Sequence, residues 1–249
     1  MIAYAAKTDI GKERQMNQDF CLASAAVRPY VFILCDGMGG HKSGDVASKT
    51  AAESIETYIR MQNTMDLDRK KAERILKNAV SYANTMVYTR AKESEVLRGM
   101  GTTTDVCLLD FDMLYIAHVG DSRVYLLREG VLRKLTRDHS LVEELLEGGI
   151  ITPEEAEKHP NKNVITRAVG TNRTVRADCI ELELRKDDIL LMCSDGLSNM
   201  LSEMDIKNIL ISSSSMEEVV DTLIARANQN GGKDNITAIV IQKLLKEEA

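Results

Sequence analysis

The sequence predicts an α+β fold in which antiparallel β-sheets form the centre and helices pack outside them. Three observations carry that expectation. Short apolar runs with strand character open, divide and close the chain. Two long stretches repeat apolar residues every four positions. No Gly/Ser or Pro linker interrupts the 249 residues, which hold only three prolines. A single domain over 1–249 is therefore expected. Hydrophobic residues make up 44% of the chain, enough for a sizeable core, but aromatics are 4% and Trp is absent. That core must rest on Leu, Ile, Val, Ala and Met.

Strand-like runs open the chain at 2–7, 20–25 and 30–35. From Ser43 onward Ala47, Ala51, Ile55 and Ile59 recur every four residues, and after Asp66 Ile75, Ala79, Ala83 and Met86 recur at steps of four, four and three, which predicts two amphipathic helices. Between 102 and 135, apolar segments broken at Asp110-Phe111-Asp112, Gly120-Asp121 and Glu129-Gly130 read as antiparallel strands joined by tight turns. Four helix starts follow in capping-box form: Ser140-x-x-Glu143, Thr152-Pro153-x-Glu155, Ser202-x-x-Asp205 and Ser215-x-x-Glu218. In each, the hydroxyl can accept from an N–H that the helix leaves unpaired. Ile180, Leu182 and Leu184 alternate with Glu181, Glu183 and Arg185 as a strand with one wet face. Residues 189–193 are expected to pair with it across Lys186-Asp187-Asp188, and 236–241 forms the last strand.

Composition excludes several classes. The net charge is −6 and no Lys/Arg block is long enough to make a basic surface, so nucleic acid is not an expected partner. The five cysteines lack paired or metal-finger spacing and read as buried, reduced thiols. The N-terminus lacks the apolar core of a signal peptide, and no run approaches the ~20 apolar residues of a membrane span. A soluble, cytoplasmic protein without membrane association is expected.

The chemistry is written in aspartates. Apolar residues 31–35 run straight into Asp36, with Gly37, Gly39 and Gly40 in the next four positions; residues 190–193 lead likewise into Ser194-Asp195-Gly196. Asp19 in Asn17-Gln18-Asp19, Asp121 in Gly120-Asp121-Ser122-Arg123 and Asp234 in Lys233-Asp234-Asn235 also stand beside turn residues. Taken singly, each reads as a turn or cap residue, and Asp121 reads equally as the partner of Arg123. If the strands carrying Asp36, Asp195 and Asp234 share one sheet end, three anions meet there, and they cannot all stay ionised without a cation. Oxygen-only ligands select Mg²⁺ or Mn²⁺ and argue against zinc. Gly37 would let the backbone come close and offer its carbonyl. Arg14, taken alone a surface charge, has a guanidinium that can fork onto two phosphate oxygens.

Six motifs stand in a set order: Arg14-x-x-Asn17-x-Asp19, Asp36-Gly37-x-Gly39-Gly40, Gly101-Thr102-Thr103, Gly120-Asp121-Ser122-Arg123, Ser194-Asp195-Gly196 and Asp234-Asn235-Ile236-Thr237. In this the chain resembles the metal-dependent Ser/Thr protein phosphatases of type 2C, the PPM family. Met38 within the second motif and His159-Pro160 followed by 163–170 resemble the bacterial branch. The resemblance implies a four-layer αββα sandwich with a binuclear Mn²⁺/Mg²⁺ site at one end. It implies that Asp36 bridges both ions, that Asp195 and Asp234 hold one, and that the Gly37 carbonyl holds the other, with Asp19 acting directly or through water. Asp121 with Asp195 matches a third, weaker ion site, Arg14 matches the phosphate-binding arginine, and 140–170, with Gly148-Gly149 as a hinge, matches a flap.

The implied activity is hydrolysis of phosphoserine and phosphothreonine in proteins by metal-activated water, by a monomer that opposes a bacterial Ser/Thr kinase. No protein nucleophile is required. The proton for the leaving group has no assigned donor: Met38 stands where the animal branch has a histidine, and His41 or a water on the third ion are the candidates. Asn199 stands where that branch has an acid. Alternative readings are a catalytically weak phosphoprotein-binding module and a small-molecule phosphatase on the same fold. A module that had lost catalysis is expected to have lost ligands, and all are present; the acidic composition speaks against a nuclease.

Overall fold

The computed structural model describes residues 1–39, 43–213 and 215–245. In chain order the strands are β1 (Ile2–Asp9), β2 (Asp19–Ser24), β3 (Tyr30–Met38), β4 (Gly101–Thr102), β5 (Thr104–Asp110), β6 (Met113–Val119), β7 (Arg123–Arg128), β8 (Val131–Lys134), β9 (Asp178–Glu183), β10 (Ile189–Cys193) and β11 (Ile236–Lys243). The helices are α1 (Gly44–Arg60), α2 (Arg69–Arg90), α3 (Leu141–Glu147), α4 (Pro153–Glu157), α5 (Asp195–Ser198), α6 (Glu203–Ser212) and α7 (Met216–Gln229). One sheet runs β1-β11-β10-β7-β8; the other runs β2-β3-β5-β6-β9, with β4 paired to β3. Every pairing is antiparallel.

Period-two alternation turns these strands into four layers. On β3, Val31, Ile33 and Cys35 face α1 and α2, whose Ala47, Ala51, Ile55, Ile59, Ile75, Ala79 and Ala83 fill the opposite side of that interface. The alternate residues Phe32 and Leu34 meet Leu190, Met192, Ile239 and Ile241 of the other sheet in a central core. Leu191, Cys193, Ala238 and Val240 point outward to α5, α6 and α7. The expected αββα sandwich is thus present, and Cys35, Cys107 and Cys193 lie buried within it as free thiols.

All four N-caps form, and the reciprocal capping box is complete at Thr152. Ser140, Thr152, Ser202 and Ser215 each accept from the N–H three residues on, and at Thr152 the Glu155 carboxylate returns the bond. Each such cap stabilises its helix by about 1 kcal/mol.

Four expectations need correction. Residues 189–193 do not pair with 180–184: β9 pairs with β6 and β10 with β7 and β11, in opposite sheets. Both strands send alternate residues into the central core, so the 184–188 connection carries the chain across the sandwich rather than back along one sheet. Gly120-Asp121 is likewise a crossing from β6 in one sheet to β7 in the other, not a hairpin turn. Asp36-Gly37 lies inside β3, and Asp195-Gly196 opens α5, so neither is a tight turn. Met86 is exposed, and Val87 takes the buried position in that turn of α2. Gly40 and His41, singled out from the sequence, lie outside the described residues.

Candidate metal centre

The alternation that builds the central core carries polar residues to one end of it. Continuing the inward-facing series Phe32, Leu34 gives Asp36; Leu190, Met192 gives Ser194; Ile241, Ile239 gives Thr237; Leu109, Cys107 gives Asp105 and Thr103. On β2, Cys21 and Ala23 pack on the core and Asp19 is next in phase, directly opposite Asp36 in the β2–β3 register. The interior of the sandwich is therefore hydrocarbon for most of its length and carboxylate and hydroxyl at one mouth.

A cleft of about 260 Å³ opens there, lined among others by Arg14, Asp36, Gly37, Asp121, Asp195 and Asp234. The structure thus brings together six of the seven site residues singled out from the sequence. The seventh, Asp19, lies just beneath, 7% exposed. Its Oδ2 accepts from Ser194 Oγ at 2.8 Å and from Thr237 Oγ1 at 2.6 Å. Its Oδ1 is buried with no hydrogen-bond partner. Asp195 Oδ2 accepts from Asn199 Nδ2 at 3.1 Å, and Asp234 Oδ2 accepts from Arg14 Nη2 at 2.6 Å. Arg123 forks onto Asp138, with Nη2 at 2.7 Å and Nε at 3.0 Å from Oδ2. Asp121 is therefore not held as the partner of Arg123.

Several positions that the sequence reading left without a role hold this site in place. Thr103 N–H and Thr102 Oγ1 both donate to the Asp36 carbonyl at 2.9 Å, and Asp36 N–H donates to Thr103 Oγ1 at 2.9 Å. Thr103 Oγ1 also shares a 2.8 Å hydrogen bond with Ser122 Oγ. The Gly-Thr-Thr motif is thus a clamp that fixes Asp36 and ties it to the turn bearing Asp121. Asn235 donates to the carbonyls of Ile10 and Met16 and accepts from Gln18 N–H, fastening the β1–β2 connection beside the cleft to the start of β11. Gly37 has no room for a side chain: a Cβ there would stand 2.0 Å from the Gly44 carbonyl oxygen. The signal for these residues lay in the strand phase, which places hydroxyls beside the acids they orient.

Burial, then the negative charge of neighbouring carboxylates, pushes these acids up. Asp19 rises to about 7, held back by its bonds to Thr237 and Ser194; Asp121 rises to about 7, with Asp195 its largest charged neighbour. Asp36 lies well above the usual carboxylate range, through burial and then Asp19, and Asp195 is raised through burial and then Asp234. Among the described residues, no three His, Cys, Asp or Glu side chains close on one point as a ready-made ligand group. Uncompensated anions repel, and Asp234 and Asp195 turn to Arg14 and Asn199. The donor set still fits divalent cations: it is all oxygen, buried, mutually repelling, and includes the unpartnered Asp19 Oδ1.

A stability prediction follows from the raised acids. A carboxyl whose folded pKa exceeds its unfolded one favours folding below the unfolded value, and that contribution is lost as pH rises through the folded value. For Asp19, from 3.8 to about 7, the loss is on the order of 4 kcal/mol. In chelator, the melting temperature is expected to fall between about pH 4 and pH 7, and Mn²⁺ should remove most of that slope. Thermal melts across this range check it; a metal-free protein that gains stability over the window would contradict it.

Residues 11–240 match the family described as protein phosphatase 2C. The chain belongs to the protein phosphatase 2C family. It is 39% identical over 244 residues to a serine/threonine phosphatase of Listeria welshimeri, covering 97% of this chain and 96% of that one. The structure of a Streptococcus agalactiae serine/threonine phosphatase superposes with a TM-score of 0.91 at 35% identity, covering 98% of this chain and all of that one. The catalytic domain of the phosphatase PstP, solved in complex with two manganese ions, gives a TM-score of 0.86 at 33% identity, with 98% and 99% coverage. No helix among the described residues of this protein phosphatase 2C member is long and apolar enough to cross a membrane.

Proposed function

We infer that this chain is a Mn²⁺- or Mg²⁺-dependent phosphatase that hydrolyses phosphoserine and phosphothreonine in proteins. The observation that carries the reading is the carboxylate-lined mouth of the sandwich, with an arginine at its rim and an unpartnered carboxylate oxygen at its base. Asp36 would bridge two ions, Asp195 and Asp234 would hold one, and the Gly37 carbonyl would hold the other, with Asp19 acting directly or through water. Asp121 with Asp195 is assigned to a third, weaker ion. The ions, when bound, supply charge neutralisation and a water of lowered pKa.

The chain's own residues do the rest. Thr102 and Thr103 keep the Asp36 backbone from moving, and Ser194 and Thr237 hold Asp19 Oδ2 so that Oδ1 faces away from them. Arg14, half exposed beside Asp234, can turn its guanidinium to two oxygens of an incoming phosphate. A second hollow of about 580 Å³ adjoins the cleft through Asp121, Asn163 and Asp195, between the 140–170 segment and the α5–α6 corner. Its lining by residues of that segment supports the reading of 140–170 as a flap beside the substrate. The natural setting of such an enzyme is a single catalytic domain, monomeric and cytoplasmic, reversing the work of a Ser/Thr kinase.

The test is phosphate release from a phosphothreonine peptide by the purified chain with Mn²⁺, with a phosphoproteome compared in cells with and without it. Arg14→Ala is expected to raise KM for the peptide about 10-fold and to lower kcat less, because it removes a phosphate contact present before and during reaction. Steady-state kinetics check this; an unchanged KM with a large loss of kcat would assign Arg14 to the reaction step alone.

A further inference from the structure

Gly120, the residue before Asp121, is held on both sides of its peptide by one residue. His139 donates its N–H to the Gly120 carbonyl at 2.7 Å, and Gly120 N–H donates to His139 Nδ1 at 3.0 Å. His139 lies at the root of the 140–170 segment, next to Ser140, which caps α3. It is 5% exposed, and its ring cannot drift. One face stacks on His118 with ring centroids 4.7 Å apart, and Nε2 meets Asp178 Oδ2 at 3.3 Å. His118 is fixed in turn, with Nδ1 2.7 Å from Asp105 Oδ1 and Nε2 2.8 Å from the Arg137 carbonyl oxygen.

The hydrogen bonds decide the tautomer. A backbone N–H can only donate, so Nδ1 of His139 carries no proton and Nε2–H donates to Asp178. Burial and the neighbouring His118 hold His139 down to about 4, so its contact with Asp178 is a hydrogen bond between a neutral ring and a carboxylate, not an ion pair. Asp138, the preceding residue, grips Arg123 on the other side of the turn. Two consecutive side chains therefore hold both ends of the Gly120–Arg123 crossing, and the acid between them is the only one of the site's carboxylates that this crossing carries.

We propose that His139 is a positioning residue that fixes the Gly120 peptide, and through it sets where the Asp121 carboxylate stands in the cleft. It touches neither substrate nor ion; it acts through Asp121, and it also joins that acid to the flap root. The proposal rests on the reading of Asp121 as a ligand of the weaker ion. Partners of this kind cost about 10- to 100-fold in metal affinity when removed.

The test compares His139→Asn with His139→Gln in the full chain. Asn places its amide oxygen near the position of Nδ1 and can still accept from Gly120 N–H. Gln reaches instead toward Nε2, keeps the Asp178 side and loses Gly120. The readouts are the Mn²⁺ concentration at the midpoint of the weak binding phase, followed by calorimetry, and kcat on a phosphothreonine peptide. Expected are a midpoint within about 2-fold of the parent for Asn and one raised about 10-fold or more for Gln, with tight binding intact. The Gln variant should match Asp121→Ala, and combining the two should add little. A core-filling role predicts the reverse order, because Gln is nearer His in volume and keeps the Asp178 contact. Gln equal to or better than Asn, or Gln and Asp121→Ala effects that simply add, overturns the proposal. Parent-like Mn²⁺ binding by Asp121→Ala sinks the ligand reading and the proposal with it, whereas an impaired Asp121→Ala beside a parent-like Gln variant sinks the proposal alone.

Discussion

In excess chelator the chain is expected to lose turnover of a phosphothreonine peptide by about 10³-fold or more, and to regain it when Mn²⁺ or Mg²⁺ is restored. The reasoning starts from the donors. The cleft offers carboxylates and a backbone carbonyl, and these serve hard, octahedral ions. Without cations the same carboxylates are driven toward their protonated forms by burial and mutual repulsion, and alone they supply no activated water; divalent ions that displace those protons restore the site. Phosphate release followed with and without chelator checks this. Undiminished turnover in chelator would mean that the chemistry is carried by some other group.

Asp36→Asn carries the second largest expected effect, a fall in kcat of about 10³-fold. Asp36 is the acid whose backbone is clamped from both sides by Thr102 and Thr103, and it lies opposite Asp19 in register and within hydrogen-bonding reach of Asp195. The change is nearly isosteric, so the clamp and the strand should survive. What is lost is one negative charge at the position that has the most anionic neighbours. KM is expected to move much less than kcat, since Arg14 remains to receive the phosphate. The variant should also be more stable than the parent in chelator near neutral pH, because a charge that burial disfavours has been removed. Steady-state kinetics and melting in chelator check both parts; a variant with parent-like kcat would remove Asp36 from the centre of the site.

Much of this is legible in the sequence. Strand phase alone places Phe32 and Leu34 on one face and Val31, Ile33 and Cys35 on the other, and the same phase carries Asp36 to the mouth of the core. N-caps are local hydrogen-bonding units, so all four helix starts could be read directly, with the reciprocal bond completed at Thr152. Strand partners were less legible. Residues 180–184 and 189–193 look like a hairpin because alternation and a short polar connection are the same whether the chain turns back or crosses to a facing sheet. The distinction depends on the β6, β7 and β11 neighbours, which are distant in sequence. Supporting hydroxyls were missed for a similar reason: Thr103 reaches Asp36 only once β3 pairs with the distant β4 and β5, and Ser194 and Thr237 reach Asp19 only after the two sheets are stacked.

The central claim is that the acids at the sandwich mouth hold divalent ions through Asp36, and calorimetric titration of Mn²⁺ into the parent and Asp36→Asn tests it most directly. The account predicts two tightly bound ions in the parent and, in the variant, loss of at least one of them with the fold retained by circular dichroism. Two ions bound as tightly by Asp36→Asn as by the parent would contradict it.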